Sequence, residues 1–350
     1  MTTSFKARVG ASLAALALAA TLAPAATAAP AADNNSNSAY TFGVIGDVPY
    51  GAKQIAQFPS MIDELNQQTD LKFISHVGDI KAGSDKCTDE YFQMIRTQFD
   101  RLNTPFIYTP GDNEWVDCHR VNNGQYNPLE RLDKIRDVFF PVAGKTLGAN
   151  MPVKSQANLG LPENVSFTKQ RVEFAVIDVQ GSNNSLLPWS GIGNTEATPE
   201  QLAEEAHRTE ANVALINETF AKAKKTNARG VVVMTQADMF DPWALSNGVE
   251  QNPSQVSGFQ ETVEAIAAGA ASFDGPVYLF NGDSHVFNQD NPLAEGSPWL
   301  NVYGVKPVEN LERITVQGSA NSNEWLRVSV SPANGKSNDL LSWERVPYTN

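Results

Sequence analysis

Residues 104–115 read TPFIYTPGDNEW. A short apolar run, Phe106, Ile107 and Tyr108, lies between Pro105 and Pro110 and breaks into Gly111, Asp112, Asn113 and Glu114. A buried parallel strand ends this way when its carboxyl end delivers polar groups to a crevice. The same design recurs as VIGD at 44–47, HVGD at 76–79 and FNGDSH at 280–285. Four apolar runs that each end in Gly-Asp point to one shared site.

Working outward, Tyr40 opens a β-like run over 40–46, and Pro49, Tyr50 and Gly51 form a turn. Ile55, Phe58, Ile62 and Leu65 recur at helical spacing, which predicts a helix over about 53–68. A strand over 71–77 ends at Asp79, a helix follows over 88–102, and a third strand reaches the opening loop. Strands and helices alternating through short connections indicate a parallel α/β core with right-handed crossovers. Further on, 129–139 reads as a helix and 141–165 as an irregular excursion, followed by a strand over 172–179 closed by Gly181, Ser182, Asn183 and Asn184. Thr198, Pro199, Glu200 and Gln201 start a helix that runs to about 226. Strands at 229–234 and 277–280 flank a helix at 259–270, the first strand ending at Thr235 and Gln236. Strands at 314–317 and 325–330, with no helix between them, suggest a second, more antiparallel sheet edge. There is no internal repeat and no linker, so residues 39–350 are expected to form a single domain.

The chain of 350 residues has 41% apolar residues, enough for a substantial core. Its start has a different character. Lys6 and Arg8 precede an apolar run from Val9 to Leu22 and an Ala/Pro-rich stretch. This order predicts a secretory signal peptide over 1–30, and residues 31–38 a disordered lead-in. Without the leader the chain carries 24 basic and 39 acidic residues, a net of −15. Such a charge repels nucleic acid and anionic membrane but does not exclude a small phosphorylated substrate, because a bound cation inverts the local field. The expected location is therefore secreted or periplasmic. In an exported protein the two cysteines, Cys87 and Cys118, are more readily a disulfide than a metal site or nucleophile. If both loops leave one sheet edge, the bridge staples two site-forming loops together.

Neighbouring strands would bring Asp47, Asp79, Asp112, Gln236, Asp283 and His285 together, with Asn113 and Glu114 beside them. Crowded carboxylates raise one another's pKa values unless a cation lies among them. Oxygen donors with one imidazole favour Mg, Mn or Ca over Zn. Two such ions sharing a carboxylate can clamp both oxygens of a phosphoryl displacement. His76, inside an apolar strand, is expected to be a hydrogen-bonded core residue.

The order GD, HVGD, GDNE, a polar strand end and GDSH resembles the calcineurin-like metallophosphoesterases, over about residues 40–287. In that family the motifs read D-x-H, G-D, G-N-H-[D/E], a lone His and G-H-x-H. The resemblance implies a four-layer α/β/β/α sandwich, two mixed sheets flanked by helices, holding two divalent metal ions. It places Asp47, Asp79 and His285 on one metal and Asp79, Asp112, Gln236 and Asp283 on the other. Pro49 stands where a ligand His is expected, Asp112 where an Asn is, and Asn113 where the His that protonates the leaving group is. Gln236 and Asp283 replace two further imidazoles. Apart from Pro49, each change at the metals leaves an oxygen ligand, a pattern suited to harder ions. For the missing acid the candidates are His119 and Glu114, while Lys81 and Arg120 are the candidate phosphate hooks. The implied activity is exported phosphoesterase chemistry on a mono- or diester. The alternative is a degenerate member acting as a secreted metal-binding or binding protein.

Overall fold

The computed structural model describes residues 1–3, 38–320, 322–333 and 339–349. Of the expected leader and lead-in, residues 4–37 lie outside them.

The first half is built from β1 (Tyr40–Ile45), α1 (Gly51–Gln67), β2 (Leu71–His76), α2 (Asp89–Phe99), β3 (Pro105–Tyr108) and α3 (Pro128–Phe139). Helix starts follow local chemistry. The Thr88 hydroxyl accepts the Tyr91 N–H at 3.2 Å, and Asn127 caps α3 ahead of Pro128. Next come β4 (Leu147–Gly148), β5 (Lys154–Gln156), β6 (Leu161–Lys169) and β7 (Val172–Val176). A helix of 28 residues, α4 (Pro199–Thr226), begins at a capping box formed by Thr198 and Gln201. The chain continues through β8 (Gly230–Met234), α5 (Gln260–Ala271), β9 (Val277–Asn281), β10 (Asn288–Asp290), β11 (Leu311–Thr315), β12 (Glu324–Val330) and β13 (Leu341–Pro347).

These strands form two mixed sheets, of six and seven strands, in the orders β13-β12-β1-β2-β3-β4 and β10-β11-β9-β8-β7-β6-β5. In the first, β1, β2 and β3 are parallel, and in the second, β7, β8, β9 and β11 are. The buried clusters define the layers. Phe42, Phe73, Phe174, Phe280 and Val328, drawn from both sheets, pack into one core between them. Phe58, Ile62, Ile95 and Ile135 cover the outer face of the first sheet, and Leu215, Phe220, Val263 and Ile266 that of the second. The arrangement is helix, sheet, sheet, helix. Phe42 and Phe73 stack at 4.7 Å between ring centroids, and Phe174 meets both edge-on.

Two expectations are corrected. Residues 141–165 are not irregular throughout, since they hold β4, β5 and the start of β6. The reading LPENVSFTK hides that strand because its polar residues are buried in pairs. Glu163 meets Arg136 at 2.6 Å, and Asn164 donates to Gln156 and Asn212. The strands after residue 300 do not make a common antiparallel edge either. β11 joins the second sheet parallel to β9, while β12 and β13 extend the first sheet antiparallel to β1. No helix among the described residues is long and apolar enough to cross a membrane.

Candidate metal centre

The parallel strands of both sheets end at the same edge, and the site is made of their endings. Asp47 follows β1, Asp79 follows β2, the 111–114 loop follows β3, Gln236 follows β8, and Asp283 with His285 follows β9. Four of these residues have left-handed backbone: Asp47 at φ 53°, Asp79 at 61°, Asp283 at 72° and His285 at 64°. This conformation costs a non-glycine residue about 1–3 kcal/mol, and such strain concentrates at functional sites. Glycines let the carboxylates approach closely. A Cβ on Gly111 would stand 2.0 Å from Asp79 Oδ1, and one on Gly282 would stand 2.5 Å from Asp47 Oδ2.

Two ligand groups result. Asp47, Asp79 and His285 form one and Asp79, Asp112 and Asp283 the other, with donor atoms within 4.8 Å of one another in each, so Asp79 belongs to both. Asp47, Asp79 and Asp112 are buried, and Asp283 and His285 are partly so. Burial, with Asp112, Glu114, Asp47 and Asp283 around it, pushes Asp79 well above the usual carboxylate range. Desolvation likewise raises Asp112 and Asp283. Burial opposes a proton on His285, but the Asp47 carboxylate, 3.3 Å away, together with Asp112 and Asp241 raises the ring's pKa. Asp47 Oδ2 is buried with no hydrogen-bond partner. Crowded acids, an orphaned carboxylate oxygen and a shared aspartate fit divalent cations with a preference for oxygen.

The other expected residues fall into distinct places. Gln236 is at the site, but its Oε1 accepts the Gly181 N–H at 2.7 Å and its Nε2 faces Asp112 Oδ1 at 3.4 Å, so the amide offers the aspartate its nitrogen. In this arrangement the amide supports Asp112. Glu114 is fully buried, and its Oε1 accepts from Tyr108 Oη, Gly111 N and Asp79 N. Burial raises it to about 7, and its Oε1 faces the loop backbone and organises it. Lys81 is also fully buried, with Nζ on the carbonyls of Ala82 and Asn113 at 3.0 and 2.6 Å. There it ties the loop after β2 to the loop after β3.

Asn113 stands inside the site, its Nδ2 donating to Asp79 Oδ2 at 2.8 Å and to Tyr50 Oη at 2.7 Å. His119 accepts the Gly191 N–H on Nδ1 at 3.1 Å, which turns it toward the 190–192 turn. Arg120 is half exposed, with Nη1 2.6 Å from the buried Asp117. Cys87 and Cys118 form the expected disulfide, with Cα atoms 5.8 Å apart, and it joins the loops after β2 and β3. His76 is a core residue whose Nε2 lies 3.0 Å from the Val48 carbonyl oxygen.

Several residues of the site escaped the sequence reading. Tyr50, taken for a turn residue, donates its hydroxyl to Asp79 Oδ2 at 2.8 Å and lies 3.3 Å from His285 Nε2. Ser182 donates to Asp112 Oδ2 at 2.9 Å from left-handed backbone of φ 52°. Asp238 receives the Ser284 hydroxyl and the buried Arg313, and its N–H donates to Asp283 Oδ2 at 3.2 Å. Asn183 and Asn184, which follow Ser182, bind Gly258 and Thr209 instead of the site. The available signal was the run GSNN at a strand end, which does not say which side chain turns inward.

No protein-family model and no curated protein matches the chain. Among solved structures it is similar to a dimetal phosphatase from Danio rerio, with TM-score 0.49, 11% identity, 89% of this chain and 99% of that one. It is also similar to GAP50, the anchor in the inner membrane complex of Plasmodium, with TM-score 0.45, 11% identity, and 89% and 90% of the two chains. A 5'-nucleotidase precursor from Thermus thermophilus matches with TM-score 0.42, 10% identity, and 89% and 54% of the two chains. At these values the likeness carries no argument about chemistry, which rests on the site's own residues. Those residues sit on two mixed sheets flanked by helices, the fold that the family resemblance implied.

Proposed function

We propose that this protein is an exported, metal-dependent phosphoesterase and a divergent member of the calcineurin-like metallophosphoesterases. One observation carries the reading: Asp79 belongs to two compact ligand groups at the same sheet edge. Asp47, Asp79 and His285 would hold one ion, and Asp79, Asp112 and Asp283 the other. Divalent ions held there would supply Lewis-acid charge to a phosphoryl oxygen and to an attacking water. Tyr50 and Asn113 fix the orientation of the Asp79 carboxylate, Ser182 and Gln236 that of Asp112, and the Asp238 N–H that of Asp283. Arg120, at the rim, would take one anionic oxygen of the substrate. The disulfide and the leader-like start support export.

The decisive assay follows hydrolysis of activated aryl phosphate mono- and diesters after chelation, with Mn, Mg, Ca and Zn added back singly. Turnover that returns with an oxygen-preferring ion, and that Asp79→Asn abolishes in a folded protein, supports the reading. A second reading is a secreted metal-binding protein without turnover. It is favoured by Asn113, which has no proton to give, and by the protein donors that already occupy both Asp79 oxygens. Tight binding of one ion with no hydrolysis under any metal would decide for it.

A further inference from the structure

If the site is a phosphoesterase centre, its charges and hydrogen-bond donors bear on the substrate it accepts. Four carboxylates line it, Asp47, Asp79 and Asp112 buried and Asp283 partly so, which two divalent ions would neutralise and not exceed. The nearby cations are already matched. Arg120 pairs with Asp117 at 2.6 Å, and Arg313 is held between Asp238 and Asp290, the latter at 2.8 Å. Lys81 is sealed in the interior with its ammonium on two carbonyl oxygens. His285 faces Asp47.

Donors are committed in the same way. The Asn113 amide serves Tyr50 and Asp79, the Tyr50 hydroxyl serves Asp79, the Ser182 hydroxyl serves Asp112, and the Gln236 amide nitrogen faces Asp112. Of these described side chains, what remains for an incoming anion is the exposed side of Arg120, beside Gly83. A Cβ on Gly83 would stand 2.7 Å from Asn113 Oδ1 and 3.6 Å from Arg120 Nη1. A phosphate monoester brings two negative charges and three terminal oxygens, while a diester brings one charge and two such oxygens. At a site whose charge is only balanced, the second charge and third oxygen of the monoester meet no unpaired cation among these residues, and a charge desolvated without a partner is penalised, which sets selectivity against the more highly charged ligand.

We propose that this site selects phosphodiester monoanions over phosphomonoester dianions, a charge preference enforced by the Asp117–Arg120 pair and by the prior commitment of the site's side-chain donors. The proposal rests on the phosphoesterase reading and makes it more specific. The reaction it describes is balanced. Water adds its oxygen to phosphorus and releases one proton, the P–O bond to one alcohol breaks with its electron pair on that oxygen, and the alkoxide takes up a proton from solvent. The products are one alcohol and a monoester.

The test pairs turnover with binding. With Mn restored, 4-nitrophenyl phosphate and methyl 4-nitrophenyl phosphate share a leaving group, and phenylphosphonate and methyl(phenyl)phosphinate, whose substituents are held by P–C bonds, are the non-hydrolysable dianion and monoanion, measured by calorimetry above the second ionisation of phenylphosphonic acid. The expected result is that the monoanionic phosphinate binds roughly tenfold or more tightly than the dianionic phosphonate, with kcat/KM favouring the diester. Asp117→Asn, which frees Arg120 while keeping an acceptor for the Ser182 hydroxyl, 3.2 Å from Asp117 Oδ1, should move both ratios toward the dianion. Equal or tighter binding of the dianion by the native protein overturns the proposal. Absence of all hydrolysis alongside a retained monoanion preference overturns the phosphoesterase reading and leaves the charge selectivity standing. Should Asp117→Asn fail to fold, the native ratios decide alone.

Discussion

Proline at position 49 leaves the first motif without an imidazole, and the neighbouring Tyr50 brings a hydroxyl to Asp79 and His285. No periodicity or motif spacing announces this, because a residue between proline and glycine reads as a turn. Ser182 is a second such case, and its role can be measured. Removing an outer partner of a metal ligand weakens metal binding by about 10- to 100-fold, so Ser182→Ala is expected to lower divalent-ion affinity by that much in a calorimetric titration. Unchanged affinity would remove Ser182 from the centre. Lys81 gives the opposite lesson. The sequence places it two residues after Asp79, and only packing shows that its charge faces inward toward carbonyl oxygens and the buried Glu114. Lys81→Met should therefore cost about 1–3 kcal/mol in a urea titration, as expected when buried carbonyl oxygens lose their donor. A phosphate-binding role would instead appear as a raised KM with stability intact.

Among the elements, strands whose buried positions are apolar were legible and β6 was not. Its buried Glu163 and Asn164, on opposite faces of the strand, are satisfied by Arg136, Gln156 and Asn212 on other elements, so the strand resembles a loop until its partners are in place. Helix starts were more transparent, since a cap is local chemistry. Thr198→Ala in the α4 capping box should cost about 1 kcal/mol, read from the chemical-denaturation midpoint. The Cys87–Cys118 bridge holds the loop after β2 to the loop after β3, the two that carry Asp79 and Asp112. Replacing both cysteines by serine should destabilise the protein by about 2–5 kcal/mol. It should also weaken ion binding more than an equally destabilising core substitution does, because the two loops are then no longer joined.

For the whole molecule, the shared sheet edge concentrates negative charge at one place and makes stability depend on pH and metal. Without a bound cation the folded chain holds protons that the unfolded chain releases. Burial, with neighbouring acids, raises Asp79, Asp112 and Asp283, brings Glu114 to about 7 and brings Asp117 to about 8. Unfolded carboxylates titrate near about 4. Between about pH 4 and about pH 8 the native state therefore binds more protons than the unfolded state, and stability falls as pH rises. Chelated protein should lose Tm across this window, and saturating divalent ion should restore most of the loss at its upper end. A flat Tm in chelated protein would contradict the crowding of charges. The sequence by itself determined that parallel strands end in Gly-Asp, that helices alternate with them and start at recognisable caps, and that carboxylates dominate the strand ends. These are local properties of period, turn chemistry and composition. Only the tertiary structure decided which side chains meet. The order in which strands pair across two sheets puts Tyr50 and Ser182 beside the aspartates, turns Lys81 and Glu114 inward, and directs the Gln236 amide nitrogen toward Asp112. Those outcomes depend on contacts between residues far apart in the chain, and hydrogen-bond saturation in a buried, low-dielectric interior leaves each of those groups few places to go.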